Sequence, residues 1–256
     1  QCVEYRRILR EFTSFCRANP APAGQPETTF ALAKGDLDLG PGGYHPAGFI
    51  AAGEKLAETN PDWRCGTPEQ SWDVALNSVF PKPPMLAPWN NRLFAATPYG
   101  QGDIVSFAYD HVTAEHLLKN YRTVMFSGWN TCSERQYRIL CEYVQGGGRL
   151  VIGLCHLSTN DARRIDFRME DLVHGGDFSE LCGLRVKGKG PKFYWATRLE
   201  DKPNDLGLAA RRRYGKIMLP IGNVELTGAA SDHESLAVDD ENLKPVILRC
   251  RRGKGE

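Results

Sequence analysis

The chain has 256 residues and a mass of 28.5 kDa, and its 32 Lys and Arg against 31 Asp and Glu give a formal net charge of +1. This balance argues against a nucleic-acid partner, which usually meets a basic surface, and 41% hydrophobic content argues against disorder. The longest uncharged stretch, residues 39–53, is too short and too rich in Gly and Pro for a membrane span, so we expect a soluble protein with no membrane partner.

The first element is an amphipathic helix that needs a surface to lie against. Between residues 3 and 18 the apolar residues recur at steps of three and four: Tyr5, Ile8, Leu9, Phe12, Phe15 and Cys16. Three prolines in residues 19–26 predict a linker, and residues 28–33 predict a short strand. The glycine-rich residues 34–66 are too long for an ordinary connection, so we interpret them as a functional or interface insertion.

Two capping boxes mark the starts of later helices. Thr67 with Gln70 predicts a helix through Phe80, and Ser133 with Gln136 predicts one that ends at the glycines of residues 146–148. We expect the second helix to bury Tyr137, Leu140, Cys141 and Val144. A shorter helix is predicted from Thr113, and strands are predicted at Arg92–Ala96, Asp103–Ala108, Arg122–Ser127 and Arg149–Leu154.

This alternation of strands and helices predicts an α/β fold with a parallel sheet that is covered on both faces. Beyond residue 185 the pattern changes to alternating apolar and polar residues, which predicts antiparallel hairpins. The expected strands are Lys192–Leu199, Leu206–Arg213, Lys216–Pro220, Asn223–Thr227, Ser235–Val238 and Pro245–Cys250. A tight turn is predicted at Gly253–Gly255 with no residues left for a returning strand, so we expect the chain to be part of a longer one.

Candidate site residues follow the predicted parallel strands, because ligands of such sheets bind beyond the carboxyl ends of the strands. They are Asp36 and Asp38, Trp129 and Asn130, and Cys155 and His156. Trp89 and Trp129 also lie beside amide side chains in predicted loops, which favours contact with a ligand or a neighbouring domain.

Cys155 is the candidate nucleophile, but its surroundings in the sequence do not favour catalysis. A nucleophile elbow needs a small residue on both sides, and position 157 is Leu. His156 adjoins the thiol, yet consecutive residues leaving a strand point to opposite sides. No His-x-Glu pattern supplies another base. We therefore interpret Cys155 as a buried or rim thiol, whereas an exposed sulfur beside a histidine would indicate an enzyme.

Neither a cofactor nor a metal is expected. The triple glycine at residues 146–148 ends a helix, whereas a phosphate-binding loop opens one. The six histidines do not have metal-ligand spacing. The eight cysteines include no CxxC pair and are too few for a disulfide scaffold, so we expect mostly reduced, buried thiols.

The segment LKNYRTVMFSGWN at residues 118–130, followed by a capped helix and YVQGGGRLVIG at residues 143–153, resembles a known family. It is similar to the glutamine-amidotransferase-like domain of bacterial glycoside hydrolases, known as the trimerisation domain of family 42 β-galactosidases. The resemblance covers residues 90–185.

The resemblance implies a flavodoxin-like, doubly wound, mainly parallel sheet with a C-terminal antiparallel β extension. The expected segments are an N-terminal helix and linker (1–26), the α/β domain (27–185) and the β extension (186–256). The family's domain has lost amidotransferase chemistry, so the resemblance implies a non-catalytic accessory or oligomerisation role. The implied partners are a neighbouring catalytic barrel or identical subunits, and carbohydrate is a further possible partner. The resemblance transfers no catalytic residue. The alternatives are an active cysteine enzyme, amidotransferase-like or peptidase-like, that uses Cys155, and a free-standing sugar-binding module. A bacterial cytoplasmic and an exported location both remain open.

Overall fold

The computed structural model describes the helices, strands and turns on which the site rests. The described residues are 2–19, 28–34, 103–106, 112–126, 131–159, 168–193, 195–198, 213–214, 221–228 and 233–256. The predicted helix at residues 67–80 and the predicted strands at residues 92–96, 206–212 and 216–220 lie outside them, as does most of the long insertion.

The predicted N-terminal helix is confirmed as α1, Cys2–Ala18. Arg7 forms ion pairs with Glu4 and Glu11 along its polar side. Phe12 and Phe15, on the apolar side, are 63% and 61% exposed. The surface that this face was expected to contact is therefore not among the described residues. None of the helices within the described segments is long and apolar enough to cross a bilayer.

Four strands form a parallel sheet, which confirms the α/β class. They are β1 (Phe30–Lys34), β2 (Asp103–Ser106), β3 (Thr123–Phe126) and β4 (Arg149–Val151). Their order across the sheet is β2-β1-β3-β4, and every neighbouring pair is parallel. A parallel pair requires a crossover connection, and helices supply it between β2 and β3 and between β3 and β4.

The crossover helices begin where the sequence predicts. Helix α2, Ala114–Asn120, is capped by the Thr113 hydroxyl, which accepts a hydrogen bond from the His116 N–H. Helix α3, Glu134–Gly146, opens with the predicted capping box, in which Ser133 and Gln136 each satisfy the other's backbone N–H. It ends at Gly147, whose φ of 121° suits glycine alone.

Helix α3 buries the predicted face in the main core. Tyr137, Leu140, Cys141 and Val144 are all buried there, together with strand residues such as Val124. Tyr143 is buried as well, and its hydroxyl donates to the backbone carbonyl of Tyr121. The described α/β part therefore has a largely apolar core.

Two antiparallel sheets follow, as predicted for the C-terminal third. One has the order β5-β6-β9, built from Asp177–Phe178, Leu184–Phe193 and Ile221–Gly228. The other has the order β11-β10-β7-β8, built from Pro245–Cys250, His233–Asp239, Ala196–Thr197 and Arg213–Tyr214. Val186 of β6 is buried in the same core as α3, and Val224 of β9 packs against that core. The first of these sheets thus continues the core of the α/β part.

The predicted turn near the C-terminus is present and folds back onto the α/β part. Arg252 and Gly255 form an antiparallel bridge. The Leu150 N–H of β4 donates to the Glu256 carbonyl oxygen at 2.8 Å. The Glu256 carboxylate lies 2.5 Å from Arg149 and 3.4 Å from Arg249, so it joins β4 to β11.

Candidate functional site

The carboxyl edge of the parallel sheet is the candidate site, and the structure describes part of it. Asp36, Asp38, Trp89, Trp129 and Asn130 lie outside the described residues, so their roles stay predictions. Residues 131–159 and 168–174 carry the described part of this edge. Of the predicted site residues, it includes the backbone of Cys155 and all of His156.

Strand β4 is shorter than predicted, which changes the setting of Cys155. The strand ends at Val151, and residues Leu154–Leu157 form a 3-10 turn instead of the predicted end of the strand. Its last paired residue, Val151, lies opposite Met125 of the neighbouring strand β3. Cys155 therefore lies inside a tight helical turn rather than on a strand-to-helix elbow.

His156 belongs to this turn and is engaged by its backbone. Its N–H donates to the Gly153 carbonyl oxygen at 3.0 Å. Its Nδ1 lies 3.2 Å from both the nitrogen and the oxygen of Gly153, so either tautomer places Nδ1 in a hydrogen bond to that residue. The ring is buried, and its centroid lies 5.6 Å from that of Phe126. These contacts fix the orientation of the His156 ring through Nδ1.

Main-chain hydrogen bonds connect the segments of this edge. Ser158 forms a parallel bridge with Thr131 and an antiparallel bridge with Leu172. The Cys132 N–H donates to the Ser158 carbonyl oxygen at 2.6 Å, and the Thr159 N–H donates to the Asp171 carbonyl oxygen at 2.6 Å. These backbone groups satisfy one another, as buried backbone must.

The buried carboxylate of Asp171 is paired with a neighbouring arginine. Arg168 Nη2 lies 2.9 Å from Oδ1, and Nε lies 3.1 Å from Oδ2, which is the two-pronged geometry that suits guanidinium and carboxylate. Oδ2 also accepts from the Arg168 backbone N–H. Asp171 therefore fixes the path of the chain after the undescribed residues 160–167.

His174 also lies in this region, although no sequence pattern indicated it as a candidate site residue. Its φ of 52° and ψ of 25° place it in the left-handed region, which residues other than glycine rarely adopt. Its Nε2 lies 3.0 Å from a carboxylate oxygen of Glu134, and its ring centroid lies 4.5 Å from that of Tyr137. Non-glycine residues in this conformation cluster at functional sites. The only sequence signal is the Gly175-Gly176 pair that follows.

Two described thiols, Cys132 and Cys141, are buried. Burial raises the pKa of Cys132 to about 12, and burial likewise raises the pKa of Cys141 to about 12. Both are free and buried, which confirms the prediction of reduced, buried thiols for these two residues. Within the described segments, no three His, Cys, Asp or Glu side chains come together as a metal site.

The chain is similar to parts of β-galactosidase structures, at low identity. The match to the β-galactosidase from Bacillus circulans sp. alkalophilus covers 91% of this chain and 28% of that one, with a TM-score of 0.48 and 15% identity. The match to a catalytic mutant of Gan42B, a GH42 β-galactosidase from G. stearothermophilus, covers 98% of this chain and 30% of that one, with a TM-score of 0.47 and 13% identity. The match to the cold-adapted β-galactosidase from Rahnella sp. R3 covers 97% of this chain and 31% of that one, with a TM-score of 0.45 and 16% identity.

The chain thus spans less than a third of the length of each of these enzymes. No protein-family model matches it, and no curated protein matches it at a significant level. At these identities and TM-scores the likeness does not define an activity for this chain.

Proposed function

We propose that this chain is a non-catalytic accessory domain of a carbohydrate-active enzyme of the glycoside hydrolase, β-galactosidase-like type, and that its work is packing and assembly. In this proposal the α/β part is a flavodoxin-like, amidotransferase-like domain without amidotransferase chemistry. The four described parallel strands, with helices between β2 and β3 and between β3 and β4, support it, because flavodoxin-like sheets are parallel with helical crossovers. The sequence patterns at residues 118–130 and 143–153 support it as well.

The exposed apolar face of α1 is the observation that carries the proposal. Ile8, Leu9, Phe12 and Phe15 recur at helical spacing and are all exposed. An amphipathic helix gains most of its stability in a protein by burying such a face against another element. The proposed cover is a neighbouring catalytic barrel or an identical subunit.

The catalytic alternative uses Cys155 as its nucleophile. An activated thiol needs a base that is within hydrogen-bond reach and is oriented by a third group. The sequence around Cys155 has Leu at position 157 where an elbow needs a small residue, and the chain has no His-x-Glu pattern. These features favour the accessory role over the cysteine enzyme.

Sedimentation velocity on the full chain, combined with hydrogen exchange, tests the assembly role. We expect the wild type to associate as concentration rises, and the Phe12→Gln/Phe15→Gln double variant to remain a monomer because its α1 face is polar. Arg10→Gln, on the opposite side of α1, is the matched control and should associate like the wild type. A monomeric wild type with α1 amides protected from exchange would contradict the proposal, since the face would then be covered within the chain.

We also propose that an interface or sugar cleft beside that assembly is lined by the predicted site residues Trp89, Trp129, Asn130, Asp36 and Asp38. Aromatic rings stack on the apolar faces of sugars at low entropic cost. Electrophoresis through polysaccharide-containing gels tests this part. Retardation that is lost in Trp129→Ala supports a sugar contact, whereas equal mobility in gels with and without polysaccharide contradicts it.

A further inference from the structure

Helix α1 carries opposite charges on the two borders of its exposed apolar face. Successive residues of an α-helix are about 100° apart around its axis. This spacing places Glu4 and Glu11 along one border of the face, which we call the acidic border, and Arg6 and Arg17 along the other, the basic border. A partner that covers the apolar face therefore meets both charges.

The two borders keep net charges that a partner can meet. Arg7 forms ion pairs with both Glu4 and Glu11, each at 2.5 Å, and one guanidinium between two carboxylates leaves a net charge of 1 − 2 = −1 on the acidic border. Arg6 and Arg17 are exposed, and they form no ion pair within the described residues. The complementary partner therefore offers positive charge beside one border and negative charge beside the other.

A second copy of α1 offers this arrangement in one of the two directions in which it can lie. In a parallel pair related by a two-fold axis, the acidic border of each helix faces the basic border of the other. In an antiparallel pair, each border faces the same border of the other copy, so like charges repel. The charges of α1 therefore favour the parallel direction.

We propose that the apolar face of α1 is covered by α1 of a second copy of the chain, in a parallel two-fold pair. This pair rests on the proposed assembly role and names the partner in it. Burial of Ile8, Leu9, Phe12 and Phe15 against the same residues of the other copy supplies the affinity, and the charged borders set the direction. Two short helices bury a small area, so the association is reversible and depends on concentration.

Cys16 distinguishes the two directions. It is a free, exposed thiol, and it lies within the apolar face of α1. In a parallel pair the two Cys16 residues lie at the same height beside the two-fold axis. With a rise of about 1.5 Å per residue, an antiparallel pair centred on Arg10 separates them by about 18 Å along the helix axis and brings Cys16 to the level of Cys2 of the other copy.

Cross-linking of the full chain with a short bifunctional maleimide, followed by digestion and mass spectrometry, tests the direction of the pair. We expect a covalent dimer whose linked peptides join Cys16 of one copy to Cys16 of the other, and Cys16→Ser should lose that link. A link between Cys2 and Cys16, or a reversible dimer without the Cys16–Cys16 link, overturns the parallel pair.

Sedimentation velocity at several sodium chloride concentrations tests the charged borders. Arg6→Glu makes the basic border acidic, and it should raise the Kd of the pair at least about fivefold, since the altered contact occurs twice in a two-fold pair. Arg10→Glu makes the same change in charge on the opposite side of α1 and is the matched control. Added salt should weaken the wild-type pair, because it screens the attraction between opposite charges. Equal effects of the two variants, or association that salt strengthens, would overturn the proposal.

Hydrogen exchange of the α1 amides separates failure of this pair from failure of the proposed function. A monomeric wild type whose α1 amides exchange freely overturns the pair alone, since a catalytic barrel remains as the proposed cover. A monomeric wild type with protected α1 amides contradicts the proposed function as well.

Discussion

Asp239 shows how one side chain organises a turn in the antiparallel part. Its carboxylate is fully buried and accepts hydrogen bonds from the backbone N–H groups of Glu241, Asn242 and Lys244, which form the turn between β10 and β11. Burial alone would raise the pKa of Asp239, but these backbone donors outweigh it and hold the pKa below its usual range. The charged form is therefore the one that the fold requires.

Replacing this carboxylate should destabilise the chain and change how its free energy of unfolding depends on pH in acid. In Asp239→Asn an amide faces three N–H donors with one fewer acceptor, so we expect a loss of about 1–3 kcal/mol of unfolding free energy near neutral pH. Because the folded pKa is depressed, the contribution is present above the unfolded pKa of about 3.9 and is lost as pH falls through the folded pKa. Urea denaturation should show the gap between wild type and variant closing as pH falls below about 4.

Glu241→Gln is the control for this prediction, because its side chain is exposed in the same turn. A pH-independent gap, or equal stability of Asp239→Asn and Glu241→Gln, would contradict the assigned role.

The individual residues of the candidate site show what the sequence can and cannot predict about their surroundings. The prediction that His156 is poorly placed as a base assumed a strand, whereas the structure has a 3-10 turn at Leu154–Leu157 in which Gly153 holds Nδ1. The role of His156 relative to Cys155 stays a prediction. Leu154, Cys155 and Leu157 are compatible with a strand, so their local sequence does not reveal the 3-10 turn that the structure has. His174 was missed because the residues it contacts, Glu134 and Tyr137, are distant from it in sequence.

Elements whose signals are local were the best predicted. The starts of α2 and α3 follow from Thr113 and Ser133, since a cap depends on residues three positions apart. The predicted strand Lys192–Leu199 was wrong as a single element. The structure has β6, which begins at Leu184 and pairs with β9, and the separate β7, which pairs with β10. Those boundaries are set by cross-strand partners that local sequence does not reveal.

The capping box of α3 should make a measurable contribution to stability. Ser133→Ala removes the oxygen that accepts from the Gln136 N–H, and we expect a loss of about 1 kcal/mol. Glu142→Ala, on the exposed side of the same helix, should change the unfolding free energy by less than about 0.5 kcal/mol. Chemical denaturation of both variants checks this prediction. Equal costs would mean that the cap does not stabilise α3.

At the scale of the whole molecule, the C-terminal turn ties the β extension to the parallel sheet. Gly255 lies against the end of α3, where an added Cβ would be 2.3 Å from the carbonyl oxygens of Val144 and Gly148. Glu256 continues this contact to Leu150, Arg149 and Arg249. The sequence predicted the turn but not its contacts with α3 and β4, because those partners, at residues 144–150, lie about a hundred residues earlier in the chain.

Displacing this turn should loosen the edge of β4. Gly255→Ala introduces the clash described above, so we expect a loss of about 1–3 kcal/mol of unfolding free energy. Hydrogen exchange of the Leu150 amide should also accelerate, since its acceptor is the Glu256 carbonyl oxygen. Lys254→Ala keeps the Cβ and the backbone bond to Gln145 and is the matched control. Unchanged protection of Leu150 in Gly255→Ala would show that the turn is not held as described.

The proposed function is that the chain acts by packing through the exposed apolar face of α1 and that Cys155 is not an activated nucleophile. The rate of iodoacetamide alkylation at Cys155, mapped by mass spectrometry across pH and compared with the same thiol in the urea-unfolded chain, tests this claim most directly. We predict that Cys155 in the folded chain reacts no faster than in the unfolded chain, with an apparent pKa at or above about 8.5. Alkylation at neutral pH at least about tenfold faster in the folded chain, with an apparent pKa below about 7, would contradict the account and indicate a cysteine enzyme.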